Sequence, residues 1–149
     1  IRADISDIET VKYITTETIN SIYPHYYPKG AVDFFLSYHN DKNIETDIKI
    51  GIVYLCFDNE NNVVGTVTIK ENEIGRLFVL PEYQGNGYGR ELISFAENKI
   101  SEKYNEIILH ASLPAKAIYL KKGYKEIEFH SIKTENGDYL CYDMMIKQI

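Results

Sequence analysis

Leu77-Phe78-Val79-Leu80-Pro81-Glu82-Tyr83-Gln84-Gly85-Asn86-Gly87-Tyr88-Gly89-Arg90 is the stretch on which the reading of this chain turns. An apolar, strand-like run stops at Pro81, three glycines fall within five residues, and a helical pattern begins, with Tyr88, Leu92, Phe95, Ala96 and Ile100 on one face. Glycine lets the backbone approach a ligand with no Cβ in the way. The first N–H groups of a helix lack internal partners and sit at the positive end of its dipole. Together these make an anion site suited to a phosphate or pyrophosphate. A tight strand-to-helix turn that holds nothing is the competing reading of the same spacing. A Walker loop is excluded because Arg90-Glu91, not Lys-Ser or Lys-Thr, follows the last glycine. A dinucleotide fingerprint needs a third glycine where Arg90 stands and belongs on a first βαβ unit, not after a mid-chain meander.

That meander lies immediately upstream. Lys49–Phe57 is β-branched and aromatic, and Asp58–Asn62 supplies a turn. Val63–Lys70 alternates as a half-buried strand does, and Glu73–Leu80 follows after Glu71-Asn72. Before it, Ser6 with Glu9 reads as a capping box opening a helix along Ile8, Val11, Ile14, Ile19 and Ile22. Pro24 and Pro28 interrupt, and a shorter helix over about 30–39 turns Val32, Phe35 and Leu36 inward. Downstream of the glycines come a helix over about 87–103, a strand over 106–110 and a helix over 114–122 capped by Gly123. Two last strands, about 124–133 and 139–146, turn at Asn136-Gly137. The order is that of a mixed α/β (α+β) chain built on one sheet.

The 149 residues fit one domain, read here as spanning 1–149, with 44% apolar and 26% charged residues, a normal globular balance. A net charge of −6 argues against a general nucleic-acid face. No apolar run approaches the roughly 18–20 residues of a membrane span. With no visible signal segment, the expectation is a cytoplasmic protein. Cys56 and Cys141 lie in apolar runs and read as buried free thiols, and no metal ligand set is assigned.

Gln84-x-x-Gly87-x-Gly89 after Leu77-Phe78-Val79-x-Pro81 resembles the acetyl-CoA-binding motif of the GCN5-related N-acetyltransferase (GNAT) family. Ile1-Arg2-x-Ala-x-x-x-Asp7 resembles that family's opening strand and first helix, and Ala115-x-x-x-Tyr119-x-x-x-Gly123-Tyr124 its second cofactor motif. The resemblance covers the whole chain. It implies a mostly antiparallel twisted sheet of six to seven strands with about four helices, in the order β-α-α-β-β-β-α-β-α-β-β. It implies acetyl-CoA as acyl donor, with Leu77, Phe78 and Val79 along the pantetheine arm. The amides of Gln84, Gly85, Asn86, Gly87, Tyr88, Gly89 and Arg90 would hold the pyrophosphate, with Ser112 and Ala115 as further cofactor contacts. Ser112 stands where many members carry Asn, and Pro114 begins the next helix. Lys116, Lys121 and Lys122 are either 3′-phosphate ligands or a solvated helix face.

The chemistry follows from general acid–base reasoning. A lysine-like amine with pKa ~10.4 is about one part in a thousand neutral at pH 7, so a base must take its proton. A free strand N–H can stabilise the oxyanion, and a donor can assist the leaving thiolate. The resemblance assigns the donor to Tyr119 and the base to Glu73, with His110 as second candidate. It places the acceptor wall in the segment after the first helix, here Tyr23, Tyr26 and Tyr27. Those aromatic faces and an acidic first half, with eight Asp and Glu against four Lys and Arg through Ile48, favour a cation. A small amine, a polyamine or a protein amino terminus all fit. A non-catalytic coenzyme A sensor of the same fold is the alternative function. The C-terminal strands offer a surface for a homodimer.

Overall fold

The computed structural model describes residues 1–149. Five α-helices and six strands alternate along the chain: α1 (Ile8–Ile22), α2 (Lys29–Tyr38), α3 (Asp41–Lys49), β1 (Val53–Phe57), β2 (Val63–Lys70), β3 (Glu73–Val79), α4 (Tyr88–Ser101), β4 (Glu106–Ala111), α5 (Leu113–Lys121), β5 (Lys125–Lys133) and β6 (Tyr139–Gln148). The strands form one sheet in the order β1-β2-β3-β4-β6-β5. Every neighbouring pair is antiparallel except β3 and β4, which run parallel and pair only at Glu73/Ile108 and Ile74/Leu109. Beyond Ile74 the β3 edge facing β4 has no sheet partner. No helix is long and apolar enough to cross a membrane.

Each face of the sheet carries its own core. One packs Val11, Ile14 and Ile19 of α1, Ala31 and Val32 of α2, and Ile44 and Ile48 of α3 against Val53, Leu55, Phe78, Leu80 and Leu140. The other packs Leu92, Ile93, Ala96 and Ile100 of α4 and Tyr119 of α5 against Val67, Ile74, Val79, Ile107, Leu109 and Met145. Side chains alternate faces along a strand. Ile74 and Phe78 would therefore share a face, yet they lie in opposite cores. A bulge resolves this: β2 residues 66–68 oppose β3 residues 75–78, with Arg76 at φ +39°. The extra residue flips the parity of β3 and locally re-aims its side chains.

Three local features differ from the sequence expectation. The opening segment forms a single bridge, Arg2 to Tyr54, rather than a full strand. The capping box is Asp4 with Asp7, not Ser6 with Glu9: the Asp4 carboxylate accepts from Ser6 N–H at 2.8 Å and Asp7 accepts from Asp4 N–H at 2.9 Å. This sets a 3₁₀ turn over Ile5–Asp7 ahead of α1. The first strand begins at Val53 rather than Lys49, and the segment before it, Asp41–Lys49, is helix α3, capped by the Asn40 side chain accepting from Asn43 N–H. Its polar surface rests on two anchors, Ile44 and Ile48, whose burial contributes roughly 1.5–3 kcal/mol each.

The β5–β6 turn falls at Asn136-Gly137 as expected and bears on α2. The Asp138 carboxylate accepts from Gly30 N–H at 2.8 Å, satisfying an otherwise orphaned donor in the first turn of α2. An added Cβ at Gly30 would strike the Asn136 side chain. The turn thus docks α2 across the sheet, over the gap between β3 and β4.

Candidate active site

A cavity of about 480 Å³ lies at that gap. Strand parity explains how it passes through the sheet. On β4, Ile107, Leu109 and Ala111 enter the core under α4 and α5, so His110 and Ser112 turn to the other face. Glu73, His110, Phe78 and Tyr142 line the cavity on the side of α1–α3, whereas Leu77, Ala115 and Tyr119 line it on the side of α4 and α5.

Of the residues expected at the chemistry, Glu73, Tyr119 and His110 share this cavity. The two base candidates touch: Glu73 Oε1 and His110 Nδ1 are 3.1 Å apart. In the imidazole tautomer that donates Nδ1–H to this carboxylate, Nε2 is the nitrogen with the free lone pair. The His110 ring is braced edge-on by Tyr142 at 5.5 Å. Tyr119 is buried, edge-to-face with Tyr124 at 5.4 Å, and its hydroxyl makes no hydrogen bond within the protein. Burial, with a smaller push from Tyr23, raises the phenol well above its ordinary value, so it stays protonated.

The glycine turn sits at the far end of β3. Gln84 Nε2 donates to Val79 O at 2.9 Å, closing the turn onto its strand, and Gln84 N–H donates to Pro81 O. The N–H groups of Gly85, Asn86, Gly87, Tyr88, Gly89 and Arg90 have no partner within the protein. Gly87, at φ +89°, is the N-cap of α4, and no side chain caps that end. Gly85, Asn86, Gly87 and Arg90 face one open depression. Leu80 N–H bonds across to Val64 O, so by alternation Val79 turns its own N–H toward the unpaired edge. A row of free amides at a helix N-terminus, continuous with an unpaired strand edge, fits a pyrophosphate carrying an extended amide-bearing arm.

The tyrosine segment divides. Tyr23 lines the cavity and its hydroxyl lies 3.3 Å from Ser112 Oγ. Tyr27 is buried in structural work, donating to Cys141 O at 3.0 Å and accepting from Leu113 N–H at 2.7 Å, and Tyr26 is 52% exposed; neither lines the cavity. The Tyr27 ring packs behind the wall, against Tyr23 at 5.7 Å and Phe35 at 5.1 Å. The cavity wall comes instead from Phe34, Phe35, Tyr38 and His39 at the end of α2, with Ile132, Leu140 and Tyr142. The spacing of Phe34, Phe35 and Tyr38 along one helix was the available sequence signal. Lys116 is engaged by Glu126 at 3.0 Å and Asp143 at 3.1 Å, and Lys122 by Ser94 at 3.0 Å and Glu97 at 3.5 Å.

Arg76, in the bulge, also reaches the wall. Its side chain is 6% exposed, Nη2 lies 3.0 Å from Asp47 Oδ2, and Nε donates to His39 Nδ1 at 3.4 Å. Burial, and then the Arg76 charge, pulls the His39 pKa down to about 3 from an ordinary 6.5. The unfolded chain therefore takes up a proton between those values that the folded one refuses. Stability is full above pH 6.5 and falls as pH drops through that window, by roughly 2 kcal/mol between pH 6.5 and 5. Urea unfolding at pH 7, 6 and 5 should show this slope, and His39→Gln should remove it.

Comparison with known proteins agrees with this architecture. A family model described as "Acetyltransferase (GNAT) domain" matches residues 22–145. A search of curated protein sequences finds no significant match. Among solved structures, the chain is similar to a GCN5-related N-acetyltransferase from Rhodopseudomonas palustris, with TM-score 0.90 and 19% identity over 100% of this chain and 94% of that one. It is similar to the PaiA N-acetyltransferase of Thermoplasma acidophilum, solved in complex with coenzyme A, with TM-score 0.74 and 20% identity over 100% and 97%. A ribosomal-protein-alanine N-acetyltransferase from Brucella melitensis gives TM-score 0.74 and 16% identity over 100% and 98%. With the splayed strands, the glycine turn and a family model spanning most of its length, the chain belongs to the GNAT family of N-acetyltransferases.

Proposed function

We propose that this protein, as one N-acetyltransferase domain over residues 1–149, moves the acetyl group of acetyl-CoA to a primary amine by direct attack in a ternary complex. The observation that carries this is a single cavity crossing the sheet, with the free Tyr119 hydroxyl on one face and the Glu73–His110 pair on the other.

When bound, acetyl-CoA supplies an activated thioester. Residues 77–79 offer an unpaired backbone edge for the pantetheine arm, and the amides of Gly85–Arg90 offer donors for the pyrophosphate. Glu73 orients His110, whose Nε2 takes the ammonium proton directly or through a water; removing it raises the neutral fraction of the amine. As the amine nitrogen bonds to the carbonyl carbon, backbone N–H groups of β3 stabilise the oxyanion; as the carbon–sulfur bond breaks, the nitrogen's second proton passes through water to the departing thiolate, leaving the amide and free coenzyme A. Tyr119 donates to the departing sulfur. A phenol held above its ordinary pKa resists full transfer to a thiolate of pKa ~8.5, so its contribution is a hydrogen bond that strengthens as charge develops.

Calorimetric titration tests the donor: acetyl-CoA should bind, and ATP and NAD should not. Gly87→Val should weaken binding at least tenfold, since a β-branched residue at φ +89° must reshape the turn. Gly87→Asn, which tolerates that region, should retain most of it. A folded protein that fails to bind acetyl-CoA would overturn the reading.

A further inference from the structure

On the acyl-transfer reading, on which this rests, we infer that the acceptor is a monoamine with an aromatic or bulky apolar body, not a polyamine. The acceptor half of the cavity is a box of Phe34, Phe35, Tyr38, Phe78 and Tyr142, with Glu73 as the one acidic residue lining it. Twelve of the eighteen lining residues are hydrophobic.

The charges in the wall select for a single cation. Glu73 can receive the reacting ammonium beside His110. A second ammonium four or five bonds away would meet the aromatic box and Arg76, which lines the same wall with its guanidinium turned to Asp47, and no second carboxylate. Asp47 pairs with Arg76 but does not line the cavity, so it offers such a cation nothing directly. His39 is neutral at physiological pH, held there by burial and by Arg76. The rings return about 0.5–2 kcal/mol of cation–π attraction to a second charge, less than the several kcal/mol of hydration it gives up with no carboxylate to pair it. An aryl or branched alkyl body gains instead, because aromatic pairs in edge or offset geometry add to the area they bury.

The test is a comparison of phenethylamine, spermidine and a short unblocked peptide as acceptors at fixed acetyl-CoA. Two readouts are used: thiol release, and calorimetric binding of each amine to protein saturated with coenzyme A. Phenethylamine should exceed both others in kcat/KM and in affinity by at least tenfold. Phe34→Ala, at a half-open position that leaves the core intact, should raise its KM several-fold without moving that of acetyl-CoA. Phe34→Asp should shift preference toward spermidine by supplying the missing second carboxylate. Equal or better use of spermidine or the peptide by the parent protein would overturn the inference while leaving acyl transfer standing. If no amine turns over, the binding series decides by the same criterion. Failure to bind acetyl-CoA would overturn the acyl-transfer reading itself, and this inference with it.

Discussion

Replacing Tyr119 by phenylalanine should lower kcat about 10²- to 10³-fold while leaving the affinity for acetyl-CoA within about threefold of the parent. The ring is held by burial and by its edge contact with Tyr124, and phenylalanine keeps both. The hydroxyl bonds to nothing in the protein, so its removal strands no partner and stability should change by less than about 1 kcal/mol. What disappears is a donor whose interaction grows as charge moves onto sulfur, and such a loss falls on kcat rather than on ground-state binding. Steady-state thiol release with parallel titration of acetyl-CoA separates the two quantities. A variant with unchanged kcat would move the donor role to a water or another side chain. A parent protein with no turnover on any amine would favour the coenzyme A sensor instead.

The elements that carry strong local signals were legible without coordinates. The glycine cluster, the alternation through Val63–Lys70, the Asn136-Gly137 turn and the cap at Gly123 each encode their conformation within a few residues. Helix α3 was not read, because only Ile44 and Ile48 mark its buried stripe and the rest is polar. Its N-cap at Asn40 and the Glu45–Lys49 pair were the remaining cues. The contact between Glu73 and His110 was unreadable for a different reason. It depends on the parallel register of β3 and β4, two strands separated by a helix, and no local rule sets that register. Of the three tyrosines expected at the acceptor, only Tyr23 lines the cavity; Tyr27 is held by hydrogen bonds to Cys141 O and Leu113 N–H, contacts with segments 114 and 86 residues away that no local pattern encodes. Residue type alone does not carry that information.

Asp47→Ala should cost roughly 3 kcal/mol of stability and lower kcat as well, although Asp47 touches neither proposed substrate. Arg76 sits in the left-handed region at φ +39°, a conformation that costs a non-glycine residue energy and persists only where its surroundings fix it. The fixing is done by the side chain: its guanidinium reaches Asp47 on α3, Thr68 on β2 and His39 at the end of α2. Removing the carboxylate leaves a positive charge 6% exposed and without a counter-ion. The figure is at the lower end for stripping a partner from a buried charge, because 26% of the Asp47 side chain reaches solvent. The strain then has less to oppose it, and the bulge that flips the parity of β3 relaxes. Since the bulge re-aims Leu77 and Phe78 and lies beside the unpaired edge, the donor arm and the oxyanion donors lose their placement together. Asp47→Asn, which still accepts a hydrogen bond, should recover about half the stability and most of the activity. The double variant Asp47→Ala with Arg76→Met should be more stable than Asp47→Ala alone, because no unpaired charge is left, yet remain slow, because the bulge has lost its anchor. Removing Arg76 also lifts the charge that holds His39 down, so the acid-labile window of the double variant should narrow. Urea midpoints at pH 7 and 5, taken with kcat for the four proteins, decide whether α3 anchors the catalytic strand through this one pair.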